Sequence, residues 1–221
     1  MDIVKKVIIF GISDFAYQVF RYIERDKQFD VCAFTVDRNY YSCSEFRGLP
    51  VVPFDELHNK YPCDQYSMLI CIGYKQMNGI RLDTFHRVKE RGYPIVEYRH
   101  ESAVILSDDI GEGNFFFEGV VIGPGCKIGR SNIIFAQSNV AHDCVIGSFN
   151  FISSLVAIAG HVTIKDSCFF GTNSAIRDSV TISSHTLVGA AAYIRKNTNE
   201  FDVYAAPQSI LLKKKSYDIQ L

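Results

Sequence analysis

The chain of 221 residues has no surplus of either charge, with 23 Lys and Arg against 24 Asp and Glu and a formal net charge of −1. A protein held to a phosphate backbone by its field carries a broad basic surplus, so no nucleic-acid partner is expected. No apolar run approaches the roughly 18 residues that suggest a membrane span. The opening MDIVKKVIIFG passes straight into a strand pattern without a signal peptide's apolar region and cleavage site. The seven cysteines are odd in number and form no C-x-x-C pair, which argues against a disulfide framework or a zinc ribbon. A cytoplasmic protein that does not enter the membrane is the expectation. Charge is also missing locally. Between Val104 and Ile194 only 11 of 91 residues are charged, whereas the other 130 hold 36. The chain therefore has two parts built on different rules.

What fills the charge-poor part is a repeat. Stepping by six from Val104 gives Val104, Ile110, Phe116, Ile122, Ile128, Ile134, Val140, Ile146, Ile152, Ile158, Ile164, Phe170, Ile176, Ile182, Val188 and Ile194, with no polar residue and no insertion. Two places before each step the residue is small or medium, for example Asn114, Cys126, Asn132, Cys144 and Asn150. Glycine directly follows six of the steps, at Gly111, Gly123, Gly129, Gly147, Gly171 and Gly189. A period of six suits short strands separated by turns, with each aliphatic residue pointing into a shared core. Three sides make an 18-residue coil whose dry interior admits few charges, and the glycines are expected to relax the corner angles. Cys126 and Cys144 read as buried thiols.

The 18-residue register also predicts an outward column of Phe115, Ile133, Phe151, Phe169 and Leu187, with Phe117 and Phe135 beside it. Such a stripe is costly in water. It is read as a subunit interface, and a homotrimer is expected; cover by the chain's own N-terminal part or C-terminal tail is the alternative.

Residues 1–99 alternate strand and helix signals. Strands are expected at Lys6–Phe10, Val31–Val36, Met68–Ile72 and Pro94–Tyr98, with helices at about Phe15–Glu24 and Asn78–Gly92 and a short one capped by Asp55. This is a small Rossmann-like parallel sheet. In the loop Gly11-Ile12-Ser13-Asp14-Phe15-Ala16, Ser13 and Ala16 stand where a dinucleotide fingerprint has its second and third glycines. Without the second glycine a nicotinamide dinucleotide is disfavoured, although a helix N-terminus can still face a diphosphate. Asp37 ends the second strand, and Gly73–Asn78 follows the next, where ligands of parallel sheets gather.

This head, the hexads and the motif Val140-Ala141-His142-Asp143-Cys144-Val145-Ile146-Gly147 together resemble the hexapeptide-repeat sugar acetyltransferases of the NeuD/PglD family. The resemblance spans Lys6 to about Pro207. It implies a left-handed parallel β-helix at 100–196 after the Rossmann-like domain at 1–99, then a tail at 197–221. It also implies acetyl-CoA as co-substrate in a groove between subunits of a trimer and a nucleotide sugar bound by the head. By this resemblance His142 is the general base and Asp143 orients it; an imidazole suits proton removal near neutral pH. Gly160, Thr172 and Ala190 fall at coenzyme A positions, with backbone N–H groups polarising the thioester. Asp14, Phe15, Ala16, Asp37, Arg38 and Gly73 fall at sugar-nucleotide positions. Tyr204–Pro207 resembles the family's closing segment, and Lys213, Lys214 and Lys215 are weaker candidates for coenzyme A phosphates. Two departures stand out: Phe151 replaces a second histidine and Phe135 an asparagine.

The implied reaction is acetyl transfer to the C4 amine of a UDP- or dTDP-linked 4-amino-4,6-dideoxy sugar, in surface-polysaccharide synthesis. The alternatives are sugar O-acetylation, a β-helix metal hydratase and a non-catalytic sugar-nucleotide binder. The hydratase needs three metal ligands, and only His142 and His161 are near enough; no metal is expected.

Overall fold

A computed structural model of the chain describes residues 4–211 and Lys213. Lys214 and Lys215 lie outside the described residues. The head is built from β1 (Lys5–Phe10), α1 (Asp14–Asp26), β2 (Phe29–Val36), β3 (Glu45–Phe46), β4 (Leu49–Pro53), α2 (Leu57–Lys60), β5 (Ser67–Ile70) and α3 (Gly79–Glu90). Its sheet runs β3-β4-β2-β1-β5 and is parallel except at the β3–β4 hairpin. The apolar runs that mark β1 and β5 are buried on both sides, as strands covered by helices must be. α1 turns Ala16, Val19, Phe20 and Ile23 onto the sheet.

Three expectations for the head change. Asp55 does not cap a helix: it sits in a single 3₁₀ turn, Phe54–Glu56, and pairs with Arg38 at 2.7 Å. Pro94–Tyr98 is not a strand of the head sheet but contributes one bridge, Met68 to Ile95. Tyr98 and Arg99 instead pair with Phe115 and Phe116 and so open the coil stack.

From there the chain winds into a triangular prism, the left-handed parallel β-helix that the family resemblance implies. Its sides are sheets of six, five and seven strands. The register is the 18-residue step: Ile134 pairs with Ile152 and Ile152 with Phe170. The hexad residues from Phe116 to Ile194 form one buried cluster with Cys126, Cys144 and Cys168. Each aliphatic side chain so buried contributes about 1.5–3 kcal/mol, which is why a polar residue at any step is excluded. The first step slips: Val104 is 49 % exposed. Ile105 takes its place against Ile122, making that coil one residue short.

The glycines after the hexad residues do a different job from the expected one. Residues with left-handed angles at the corners are mostly not glycine, for example Gln137, Asp143, Phe149, Leu155 and His161. Gly123, Gly129, Gly147 and Gly171 have no such angle; a Cβ at any of them would fall within 2.8 Å of an atom of the coil above. They are there because adjacent coils touch.

The apolar stripe is not a subunit interface. Phe115, Ile133 and Phe151 share one buried cluster with Val7, Val19 and Phe34 of the head. The ring of Phe15 lies 5.7 Å from Phe115 and 5.8 Å from Phe135, and that of Tyr74 lies 4.9 Å from Phe151. The head thus covers the seven-stranded side. α3 covers one adjoining corner, with Phe85 against Phe149 at 5.4 Å and Lys89 bonded to Glu112 at 2.9 Å.

Candidate active site

The prism has three vertices. One lies under α3, between the five- and seven-stranded sides. A second, between the seven- and six-stranded sides, carries Thr172 and Ala190. The third lies between the six- and five-stranded sides, opposite the head, and carries His142 and Asp143.

At the third vertex Asp143 occupies the left-handed corner position, held by its N–H bonding to Pro124 O at 2.9 Å. That backbone turn brings adjacent side chains together: His142 Nδ1 lies 2.9 Å from Asp143 Oδ2. A carboxylate only accepts, so Nδ1 is the donor of this bond, and in the neutral imidazole the lone pair then lies on Nε2. Both side chains are just over half exposed, at 55 % and 54 %. Two glycines frame them. A Cβ on Gly160 would lie 2.7 Å from His142 Nε2, and one on Gly125 would lie 2.3 Å from Asp143 Oδ1. The space above the corner at Gly160, expected to admit a thioester arm, therefore seats the imidazole itself. Gly125 carries no signal in the sequence beyond its place 18 residues before Asp143.

His161 sits one coil above Asp143, with its ring edge-on to His142 at 5.0 Å. Ligand atoms of His142, Asp143 and His161 lie within 4.8 Å of one another. Three ligands are the count a catalytic metal takes, so Asp143 adds a third candidate to the two histidines expected from the sequence; the Nδ1–Asp143 bond leaves His142 Nε2 and Asp143 Oδ1 outside it.

Thr172 and Ala190 are exposed, and among the described residues neither N–H is spent on a backbone carbonyl. Both are free to donate to a ligand. Phe135 and Phe151 pack under Phe15 and Tyr74 rather than facing a groove.

In the head, a cavity of about 710 Å³ opens at the C-terminal ends of β1, β2 and β5. Asp14, Phe15, Asp37 and Gly73 line it, together with Tyr74 and Lys75 of the Gly73–Asn78 segment and with Tyr40, which carried no signal in the sequence. Ala16 lies beneath in the core. Arg38 is not part of the lining; it is spent on Asp55 and Glu56. Asp37 takes two bonds from Arg87, at 2.6 and 3.0 Å, so its carboxylate is already held. The structure does not bring His142 together with this cavity in one chain: the whole prism stands between them.

No family model and no curated protein matches the chain. Solved structures do. PerB from Caulobacter crescentus, solved with CoA and GDP-perosamine, is 26 % identical with a TM-score of 0.79, over 91 % of this chain and 94 % of that one. The acetyltransferase domain of PglB from Neisseria gonorrhoeae is 21 % identical with a TM-score of 0.78, over 90 % and 95 %. WeeI from Acinetobacter baumannii is 22 % identical with a TM-score of 0.80, over 90 % and 96 %. The chain is thus similar to these three proteins over nearly its whole length, in the two-part order of head and β-helix.

Proposed function

We propose that the protein transfers acetyl from acetyl-CoA to the C4 amine of a nucleotide-linked 4-amino-4,6-dideoxy sugar. The observation that carries this reading is the His142–Asp143 corner, whose half-exposed imidazole is bonded through Nδ1 and leaves Nε2 beside Gly160 of the next coil. The amine nitrogen attacks the thioester carbonyl while Nε2 takes its proton. The C–N bond forms, the C–S bond breaks, and the thiolate of CoA leaves and is protonated. Asp143 accepts from Nδ1 and so keeps the lone pair on Nε2 and steadies the imidazolium that forms. Backbone N–H groups at Thr172 and Ala190 suit the thioester arm and its developing oxyanion.

The head cavity takes the nucleotide sugar. Asp14, Phe15 and Gly73 form its floor, and Lys75 offers a cation to the diphosphate. Since His142 lies on the vertex facing away from this cavity, the base for one chain's substrate comes from a neighbouring chain. A homotrimer with sites between subunits meets that need. PerB, solved with CoA and GDP-perosamine, supports the pairing of a coenzyme A groove with a nucleotide-sugar pocket. Among the described residues no helix is long and apolar enough to cross a membrane, and we take the reaction to be cytoplasmic and to serve surface-polysaccharide synthesis.

The test is release of CoA thiol with UDP-, dTDP- and GDP-linked 4-amino sugars, followed by hydroxylamine treatment of the product. An amide survives hydroxylamine and an ester does not, so a labile product means O-acetylation. Absence of both turnover and thermal stabilisation by acetyl-CoA refutes the transferase.

A further inference from the structure

Arg81, in the first turn of α3, is the only charged side chain among the fully buried ones of the described residues. It has no carboxylate beside it. All five of its N–H groups are used, and every acceptor is a backbone carbonyl. Nη1 bonds Ile72 O at 3.2 Å and Gly73 O at 2.8 Å, in the loop that lines the head cavity. Nε bonds Ser131 O at 3.1 Å, and Nη2 bonds Phe149 O at 2.8 Å and Asn150 O at 3.1 Å, on two stacked coils of the prism. Three residues earlier Asn78, also buried, donates from Nδ2 to Cys168 O at 3.1 Å on the next coil. The planar guanidinium is the side chain able to hold carbonyls on two sides at once; a lysine, with three donors at one point, is not. Burial pulls Arg81 down to about 9, which leaves it protonated at neutral pH.

We infer that Arg81 is a positioning residue for the head cavity: it fixes the Ile72–Lys75 loop to the corner carbonyls of the prism and so sets where a bound nucleotide sits relative to the β-helix. The identity of the ligand rests on the reading above; the clamp does not. Without it, the loop that supplies Gly73, Tyr74 and Lys75 to the cavity is tied to the prism only by the Tyr74 ring and Asn78.

Hydrogen exchange of the full-length protein tests the clamp directly. In the wild type the two bonded amides that bracket the loop, Cys71 N–H to Phe10 O at 2.9 Å and Asn78 N–H to Tyr74 O at 3.1 Å, are expected to exchange slowly; fast exchange at Asn78 overturns the inference without any variant. In Arg81→Lys, exchange at Asn78 is expected to rise tenfold or more while the prism keeps its protection. In steady state, KM for the nucleotide sugar is expected to rise about tenfold, with KM for acetyl-CoA within twofold. Titration with UDP, dTDP and GDP reads the same loss without turnover. A folded Arg81→Lys protein with unchanged exchange at Asn78, or with both KM values moved equally, contradicts the assignment. Failure of the enzyme to acetylate any sugar leaves the exchange result standing, so the two readings fail separately.

Discussion

Two sides of one prism carry the same inward ladder and opposite outer surfaces. On the seven-stranded side the outward residues are Phe115, Ile133, Phe151, Phe169 and Leu187, and the head lies on the first four. On the six-stranded side the equivalent residues are Val121, Asn139, Ala157, Ala175 and Tyr193, which are exposed or half-buried among the described residues. The hexad sets only what points inward. What points outward decides which side receives the head and which vertices stay uncovered by it.

The largest expected effect lies at the open vertex. His142→Ala should lower turnover by about 10²–10⁴, the usual range for a general base, with an unchanged urea midpoint, since its side chain is exposed. Wild-type turnover in that variant removes the base from the account. On the covered side the effect should be on stability instead. Ile133→Ala should cost about 2–5 kcal/mol, because it deletes a fully buried side chain at the head–prism contact. Asn139→Ala, its counterpart on the open side, should change stability by no more than about 0.5 kcal/mol. Equal urea midpoints for the two variants would break the comparison between the sides.

Smaller effects sharpen it. Gly160→Ala pushes on His142 Nε2 and should lower kcat up to about 10²-fold, as misplacement of a catalytic group by about an ångström does, while leaving the melting temperature nearly unchanged. A stability loss without a kcat loss would return Gly160 to a purely structural role. The smallest effect is a null one. Burial pushes the Cys144 thiol up to about 11 and Cys168 up to about 12. Reaction follows the thiolate, so at pH 8 both stay protonated as well as shielded. Iodoacetamide should label the half-buried Cys43 and Cys63 but not Cys71, Cys126, Cys144 or Cys168 of the folded protein. Labelling of Cys144 before unfolding would show that the prism opens locally at the catalytic corner.

The prism is legible because its rule is short: one aliphatic residue every six fixes strand, face and register. Even there the glycines misled, since an αL angle and a close approach leave the same letter in the sequence. The outward stripe announced that something covers that side but not what, because cover by the head and cover by another subunit demand the same apolar residues. In the head, β4 was not expected; it carries Pro50 and Pro53, which suit its place near the sheet edge beside β2 rather than a central strand. Of the site, His142 and Asp143 are neighbours in the chain and could be read together. Gly125 and Arg81 could not: their partners lie on other coils, and Arg81 reaches carbonyls up to 69 residues away.

The central claim is that a chain's acceptor cavity and its base face away from each other, so that catalysis joins two chains. A Cβ on Gly73 meets open space, so Gly73→Phe fills the cavity without distorting the backbone, whereas His142→Ala removes the base. Each variant alone should be inactive. Co-expressed, the two should recover a clear share of wild-type turnover, because some sites then combine an open cavity from one chain with an intact His142 from another. Mixed assemblies as inactive as either parent would contradict the account.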